Sequence, residues 1–333
     1  MKAVVYKEYG PPEVLQLQDV PAPKLTEKEV LVQIHATTVS VEDPKMRSGQ
    51  FDFSPWMNAV ARLVLGWRRP KHTIMGFEFS GVVTETGPKV RRVSVGEEVY
   101  GYTGLNFGAY AQYKCLPEEG VYAVKPSNLS HAEAASIPNA ALTAMVYMLK
   151  KGKLAPGESI LINGASGSVG TAAVQLAKAV GVHVTGVASG PKLAGVKALG
   201  ADEVIDYMQD DFSAMDGSYD MIFDVAGTSS YQQCKPLLKK KGRYLKTVFG
   251  LKEVLLMLWT SLFGGRKVIV ASSNFAWKAE DLDYLRNLIE AGHMKPIVDR
   301  CFPLAHASEA HRYVESGAKT GNVVLTVEHS GSN

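Results

Sequence analysis

The sequence predicts an α/β protein in two parts, a β-rich region and a doubly wound parallel sheet. Three observations carry that prediction. Residues 1–126 are short apolar or alternating runs separated by Gly-Pro, Pro-Ala-Pro and Thr-Gly-Pro turns. From about Ser130 the pattern changes to strands alternating with helices. At the centre of that second part stands SILINGASGSVG, residues 159–170, an apolar run that ends in three punctuating glycines and leads into a helical repeat.

In chain order, residues 4–6, 30–36, 79–84 and 98–102 read as strands of the first part. The second part has predicted strands at 159–163, 182–188, 203–207, 219–225, 243–249 and 267–271, with helices between most of them. Six such strands make a doubly wound sheet. Residues 279–291 form an amphipathic repeat, followed by a helix at 306–316 and a last strand at 322–327. The division expected is 1–126 with 274–333 as one domain and 127–273 as the other.

Residues 159–163 are aliphatic and suit a buried parallel strand. Gly164, Gly167 and Gly170 mark a tight turn. Ala172, Val174, Leu176, Ala177 and Val180 then recur at helical spacing up to Gly181, a C-cap position. With the apolar run at 182–188 this is a strand–turn–helix–strand unit, and it suits a dinucleotide. Glycines admit a pyrophosphate close to the backbone, and the helix N-terminus presents N–H groups and partial positive charge. The spacing is GxxGxxG in place of the commoner GxGxxG, and its place between strand and helix gives it weight. NAD-binding sheets carry an Asp or Glu about 20 residues further on. No acid occurs here between Gly164 and Ala201. Residues 186–192 read GVASGPK, and Ser189 and Lys192 suit a 2′-phosphate, so the cofactor expected is NADP(H).

The composition is that of a globular chain: 333 residues, 46% hydrophobic and 21% charged. A net charge of only +3, with scattered cations, gives no indication of nucleic-acid binding. The strand pattern begins at once, which leaves no room for a signal peptide. The most apolar stretch, 254–263, is too short to span a bilayer, so no stable membrane insertion is expected. Cys115, Cys234 and Cys301 are isolated and odd in number, which points to a reducing compartment and a cytoplasmic location.

Further motifs lie along the whole chain: VSVEDPKMRSG at 39–49, GFEFSG at 76–81, GAYAQY at 108–113, ALTA at 141–144, ALGADEVIDY at 198–207 and TGNVVL at 320–325. With the glycine stretch, and in this order, they resemble the zinc-independent quinone oxidoreductase-like branch of the medium-chain dehydrogenase/reductase superfamily. The resemblance implies a β-rich GroES-like catalytic domain plus a Rossmann domain. It also implies NADPH-dependent hydride transfer to a quinone or an α,β-unsaturated carbonyl, a small hydrophobic substrate. Alternatives are a carbonyl or alcohol dehydrogenase of the same branch, or a non-catalytic NADPH-binding protein of zeta-crystallin type.

Zinc-dependent relatives use a Cys in the first motif and a His in a Gly-His-Glu motif. Here those positions read Val41-Glu42-Asp43 and Phe77, and three scattered cysteines cannot supply the four of a structural zinc lobe. No metal is expected. Carried across by resemblance, Asn163, Gly164, Ala165, Ser166, Gly167, Val169 and Gly170 hold the pyrophosphate. Ser189, Lys192 and Tyr207 hold the 2′-phosphate, although Tyr207 also suits simple strand-end packing. Val225 and Phe249 end the fourth and fifth strands on the cofactor crevice, and Asn322 closes over it. Thr143 resembles a threonine near the nicotinamide. Ser40 replaces an Asn of many relatives, and with Asp43 it completes the catalytic candidates. The Tyr proton donor of enoyl reductases is missing, because Gly49 is followed by Gln50 and Phe51. Residues 51–69 and 251–265 read as apolar stretches that suit a lid, core packing, a subunit interface or loose association with a membrane surface, although the second lacks the basic polar face of a surface-binding helix. Strand 267–271 suits edge pairing with a second copy, hence a homodimer.

Overall fold

Short apolar runs closed by Gly and Pro turns fold into the first strands of the chain, as their composition demands. The computed structural model describes residues 1–50, 58, 62–63, 65–215, 217–263, 265–270 and 277–329. It begins with β1 (Lys2–Val5), β2 (Gln16–Asp19), β3 (Glu29–Val39), α1 (Glu42–Ser48), β4 (Glu78–Thr86), β5 (Glu98–Tyr102), β6 (Tyr113–Pro117) and β7 (Val121–Val124). The helices α2 (His131–Ala135) and α3 (Pro138–Met145) follow. Next come β8 (Ser159–Asn163), α4 (Ser168–Val180), β9 (His183–Ala188), α5 (Leu193–Ala198), β10 (Glu203–Asp206) and β11 (Tyr219–Asp224). They lead into α6 (Tyr231–Cys234), β12 (Leu238–Lys246), α7 (Leu251–Phe263) and β13 (Lys267–Ile269). The chain closes with α8 (Ala279–Glu290), β14 (Val298–Pro303), α9 (Ala307–Glu315) and β15 (Asn322–Thr326).

Two compact units result. Met1–Asn139, Lys278–Glu290 and Pro296–Asn333 form the first, Ala140–Trp277 and Ala291–Lys295 the second. The sequence pattern changes near residue 127, whereas the units change over at Asn139. Side-chain bonds hold 127–139 in the first unit: His131 Nδ1 meets Ser80 Oγ at 2.8 Å, and Asn139 N donates to Glu78 Oε1 at 2.7 Å.

In the first unit the strand order is β14-β15-β3-β4-β5-β7, with β6 also beside β3. β3 pairs with β4 through register shifts between Leu31 and Val32 and between Ile34 and Ala36. Such shifts bend and twist a strand. The other edge of β3 therefore serves two partners, β6 along 29–33 and β15 along 36–39. Val30, Val32, Ile34, Phe79, Val99, Tyr122 and Val323 are fully buried around it. Each such side chain contributes about 1.5–3 kcal/mol on burial. Beyond Val39 the strand hands over directly to Ser40 and α1.

The second unit is a parallel sheet of order β10-β9-β8-β11-β12-β13. The order reverses between β8 and β11, and ligands of such sheets bind at the carboxyl ends of strands at that switch. Helix α4 covers the sheet with small side chains, Ala172, Ala173, Val174 and Ala177, and Gly181 closes it in the left-handed region at φ 85°. Two strands differ from expectation. β12 spans 238–246 in place of 243–249: it pairs with β11 at Leu238, shifts register across the exposed Lys239, Lys240 and Lys241, which carry no apolar alternation to read, and pairs again from Arg243. Phe249 consequently lies beyond the strand. β13 ends at Ile269, and Ala271 lies outside the described residues, as does most of the 51–64 stretch.

Candidate active site

The turn after β8 is built by backbone closeness that only glycine allows. Gly164 sits at φ 90°, and its amide and that of Ala165 both bind Val187 O, at 3.1 and 3.0 Å. Gly167 N then donates to Gly164 O at 3.2 Å. A Cβ on Gly170 would lie 2.1 Å from Gly164 O and 2.8 Å from the Ala165 backbone. The N-cap of α4 is Gly167, which has no side chain to close the first-turn amides. An open helix N-terminus beneath a glycine-rich turn is an anion cradle. Ala165, Ser166, Gly167, Val169 and Gly170 all belong to it.

At the neighbouring strand ends, β9 and β10 pair through Ala188 and Asp206, and Tyr207 N donates to Ala188 O at 3.2 Å. This places Tyr207 next to Ser189, while Lys192 N closes onto Ser189 O at 2.8 Å. Tyr207 is 56% exposed, so strand-end packing does not account for it. Sequence reading missed one neighbour. A Cβ on Gly190 would lie 2.6 Å from Asp206 Oδ2, so an acid does stand beside this turn, contributed by β10 instead of β9.

The floor of the switch point is polar. Asp224 is fully buried and accepts from Asn163 Nδ2 at 2.8 Å, Gly227 N at 2.9 Å, Ser229 N at 3.1 Å and the Tyr244 hydroxyl at 3.0 Å, with Lys246 Nζ at 3.8 Å. Asn163 also reaches Thr228 Oγ1 at 3.0 Å. Its carboxamide is thus committed to bracing the loop after β11, and its backbone carbonyl accepts from the Val225 amide at 3.0 Å. Phe249 is half-buried against the core of this unit. Thr143 is buried on α3, in this same unit.

Ser40, Asp43 and Asn322 belong to the first unit. Asn322 opens β15 and is tied by both amides to Ile297 O. Asp43 Oδ2 accepts from Ser40 N at 2.8 Å and Ser40 Oγ at 2.6 Å. Burial pushes the Asp43 carboxyl up to about 7, against the downward pull of the Ser40 bonds. Oδ1 is buried without a well-formed hydrogen bond, and the Tyr110 hydroxyl lies beside the carboxyl. Behind it the donor logic is fixed. Arg47 NH1 can only donate, so His311 Nδ1, 3.1 Å away, is the acceptor and Nε2 carries the hydrogen toward the Tyr110 hydroxyl at 3.2 Å. Burial, reinforced by Arg47, lowers His311 to about 3, so the imidazole is neutral. Tyr110 is left to donate to Asp43. Arg47 is anchored on Glu315 at 2.6 Å and Gly10 O at 3.1 Å.

Glu78 is a second buried carboxyl. Thr38 Oγ1 hydrogen-bonds Oε2, Asn139 N donates to Oε1, and burial outweighs both bonds, raising it to about 8. A carboxyl raised on folding stabilises the protein below its unfolded value of 4.5 and loses that contribution as pH climbs through about 8. Asp43 acts in the same sense between 3.8 and about 7. Stability of the first unit is therefore expected to fall from pH 5 to pH 8. Glu78→Gln, whose amide meets both partners without ionising, should reduce the loss of stability between pH 5 and pH 8 by up to about 3–4 kcal/mol. Urea melts across this range would expose an unchanged slope.

Phe77 stands where a zinc-ligating His would. Its ring stacks on Tyr102 at 5.7 Å and meets Phe107 edge-on at 4.8 Å. With Glu78 committed to Thr38 and Asn139, this aromatic donor set does not fit a zinc ion.

A doubly wound sheet with an open glycine cradle at its switch point, in a chain that also carries a β-rich unit, defines a dinucleotide-dependent dehydrogenase or reductase. Residues 26–126 match the alcohol dehydrogenase GroES-like domain, and 199–325 match the family described as zinc-binding dehydrogenase. Among curated proteins, the chain is 32% identical to 2-methylene-furan-3-one reductase of Solanum lycopersicum, over 98% of this chain and 79% of that one. It is also 32% identical to the chloroplastic NADPH-dependent alkenal/one oxidoreductase of Arabidopsis thaliana, with the same coverage. Among solved structures, the quinone oxidoreductase from Coxiella burnetii superposes with a TM-score of 0.86 at 31% identity, covering 98% of this chain and 99% of that one. The chain belongs to the quinone oxidoreductase-like branch of the medium-chain dehydrogenase/reductase superfamily.

Proposed function

We propose that this protein is an NADPH-dependent reductase of quinones or α,β-unsaturated carbonyls that works without a metal ion. The observation that carries the reading is the open cradle formed by Gly164, Gly167 and Gly170 at the switch point of the sheet. NADP(H) is the cofactor, and it supplies hydride when bound. Ala165, Ser166, Gly167, Val169 and Gly170 would hold its pyrophosphate, and Ser189, Lys192 and Tyr207 its 2′-phosphate. The three relatives above are named for reduction of quinones, alkenals or a methylene-furanone, acceptors that are already electrophilic. Such acceptors need no Lewis acid.

Reduction also consumes a proton, and Ser40 with Asp43 is our assignment for its source. At pH below about 7, Asp43 is protonated and hydrogen-bonds the Ser40 hydroxyl, which passes its own proton to the reduced acceptor as Asp43 replaces it. The first unit is thereby assigned to substrate and the second to cofactor. Three free thiols favour the cytoplasm. No helix of the described residues is long and apolar enough to cross a membrane. β13 ends its sheet, and we assign a homodimer paired through it. Monomer mass in light scattering would overturn the dimer.

The test follows NADPH consumption with 9,10-phenanthrenequinone, 1,4-benzoquinone, a 2-alkenal and a simple aldehyde, with NADH and EDTA as controls. Quinone or alkenal turnover that prefers NADPH and ignores chelator is expected. Its kcat should fall as pH rises through about 7, and Asp43→Asn should lower kcat about 10–100-fold and remove that limb. Tight NADPH binding without turnover of any acceptor would mark a binding protein instead.

A further inference from the structure

Three segments far apart in the sequence meet behind Asp43. Asp43 and Arg47 stand one turn apart on α1, Tyr110 lies between β5 and β6, and His311 lies on α9. The buried stripe of α9 is Ala307, Ala310, His311 and Val314, so a histidine occupies a place that helical spacing reserves for an apolar side chain. Asp43, Arg47, Tyr110 and His311 are each at most 2% exposed. Buried polar groups need partners, and here the partners follow one direction. Arg47 donates to His311 Nδ1 at 3.1 Å, His311 Nε2 donates to the Tyr110 hydroxyl at 3.2 Å, and the Tyr110 hydroxyl faces the Asp43 carboxyl.

This chain is not a proton wire. It starts from a guanidinium, anchored on Glu315 at 2.6 Å, that does not give up a proton. What it transmits is direction. The Tyr110 oxygen accepts from His311, so its single hydrogen goes to the carboxyl beside it. Oδ2 of that carboxyl already accepts from Ser40 N at 2.8 Å and Ser40 Oγ at 2.6 Å. Among the described residues Oδ1 has no other partner, which leaves it to Tyr110. A carboxyl hydrogen on Oδ1 would then face the phenol hydrogen head-on.

We infer that Tyr110 is a positioning residue that confines the Asp43 proton to Oδ2, the oxygen facing Ser40. The inference rests on the assignment of Ser40 and Asp43 as the proton source. With the hydrogen on Oδ2, Asp43 donates to Ser40 Oγ, and the serine's own hydrogen is released for the acceptor. In the transfer the Ser40 O–H bond breaks toward the acceptor, the Asp43 Oδ2–H bond breaks toward Ser40, and a carboxylate remains. With the hydride of the bound cofactor, that one proton completes the reduction. Arg47 has none to give, so the proton returns from water by way of Ser40, which is half-buried where Asp43 is 1% exposed.

The other groups around Asp43 leave the Tyr110 bond in control near neutral pH. Burial keeps the phenols of Tyr6, Tyr102 and Tyr110 un-ionised, Glu78 keeps its proton below about 8, and His311 is neutral. The charges nearby are Glu42, which adds to the upward push on Asp43, and Arg47 one turn along α1. Tyr110→Phe changes none of these and removes one donor. That donor holds a carboxylate about twice as strongly as a neutral acid, so its loss should raise the titration of Asp43 by about one pH unit, a tenfold displacement.

The test compares the pH profile of kcat, with NADPH and 9,10-phenanthrenequinone, for wild type, Tyr110→Phe and His311→Gln. The limb near pH 7 should move up by about one unit in Tyr110→Phe. It should keep its wild-type position in His311→Gln, whose amide retains an N–H for Tyr110 and an oxygen for Arg47. Urea melts give a second readout that needs no turnover. Tyr110→Phe should lose more stability than wild type between pH 7 and pH 8, because a carboxyl raised further on folding goes on losing its contribution there. That excess should vanish in an Asp43→Asn background. A limb that stays in place in Tyr110→Phe, or an excess that persists without Asp43, would overturn the inference. A wild type with no limb near pH 7 would instead refute the proton source, and the melts alone would then decide whether Tyr110 holds Asp43.

Discussion

Replacing Gly170 with alanine is expected to weaken NADPH binding at least about 100-fold, near 3 kcal/mol. The added methyl would stand 2.1 Å from Gly164 O and 2.8 Å from the Ala165 backbone. These are main-chain atoms of the cradle itself and cannot swing aside as a flexible side-chain tip could. Relief requires the turn to open, which displaces the amides that would meet the pyrophosphate and costs about 1–3 kcal/mol of stability as overpacking. Gly167→Ala tests the same cradle without straining the turn, so any loss there comes from the ligand meeting the new methyl group. Its Cβ would meet only Gly164 O, at an ordinary 3.6 Å, and its φ of −78° suits any residue. Titration of NADPH fluorescence distinguishes the two. Undiminished binding in Gly170→Ala would remove the cradle from the cofactor assignment.

Asp224→Leu is expected to destabilise the second unit by about 3–5 kcal/mol, because it strands the Gly227 and Ser229 amides and removes the counter-charge of Lys246. It also leaves Asn163 Nδ2 with Thr228 alone and the Tyr244 hydroxyl with Ser229 alone. Asn163 Nδ2, the amides of Gly227 and Ser229, and the Tyr244 hydroxyl all converge on this one carboxylate. Lys246 would keep its bond to Ser229 O at 2.7 Å but lose the counter-charge 3.8 Å away. Asp224→Asn retains one acceptor oxygen and should cost less, about 1–3 kcal/mol. Denaturant melts with and without saturating NADPH would read both variants. An Asp224→Leu protein as stable as wild type would show that the floor of the switch point does not depend on this network.

Much of the architecture was legible because it is written in local periodicity. The run 159–163, its three glycines and the helical repeat up to Gly181 specify a strand, a tight turn and a capped helix from neighbouring residues alone. The observed bounds, Ser159–Asn163 and Ser168–Val180, follow that pattern closely. β12 was misplaced for the complementary reason. Lys239, Lys240 and Lys241 show no alternation, yet the strand continues across them between its pairings with β11 at Leu238 and at Arg243. Ser189 and Lys192 were read as candidates from the small polar turn after β9, and Tyr207 from the resemblance. Asp206 was overlooked because the search for an acid followed β9, while the fold brings one in from the neighbouring strand.

By itself the sequence determined the fold class, the glycine cradle, the cofactor and the family, since each depends on residues close together in the chain or on motifs in a fixed order. Tertiary structure decided what those residues face. In the Arg47–His311–Tyr110–Asp43 relay Arg47 meets His311 across 264 positions, and Asn163 meets Asp224 across 61. The near-neutral titration of Asp43 and Glu78 arises from their complete burial, which comes from packing among several strands. Charge, desolvation and partnership are properties of distance in space, and distance along the chain does not encode them.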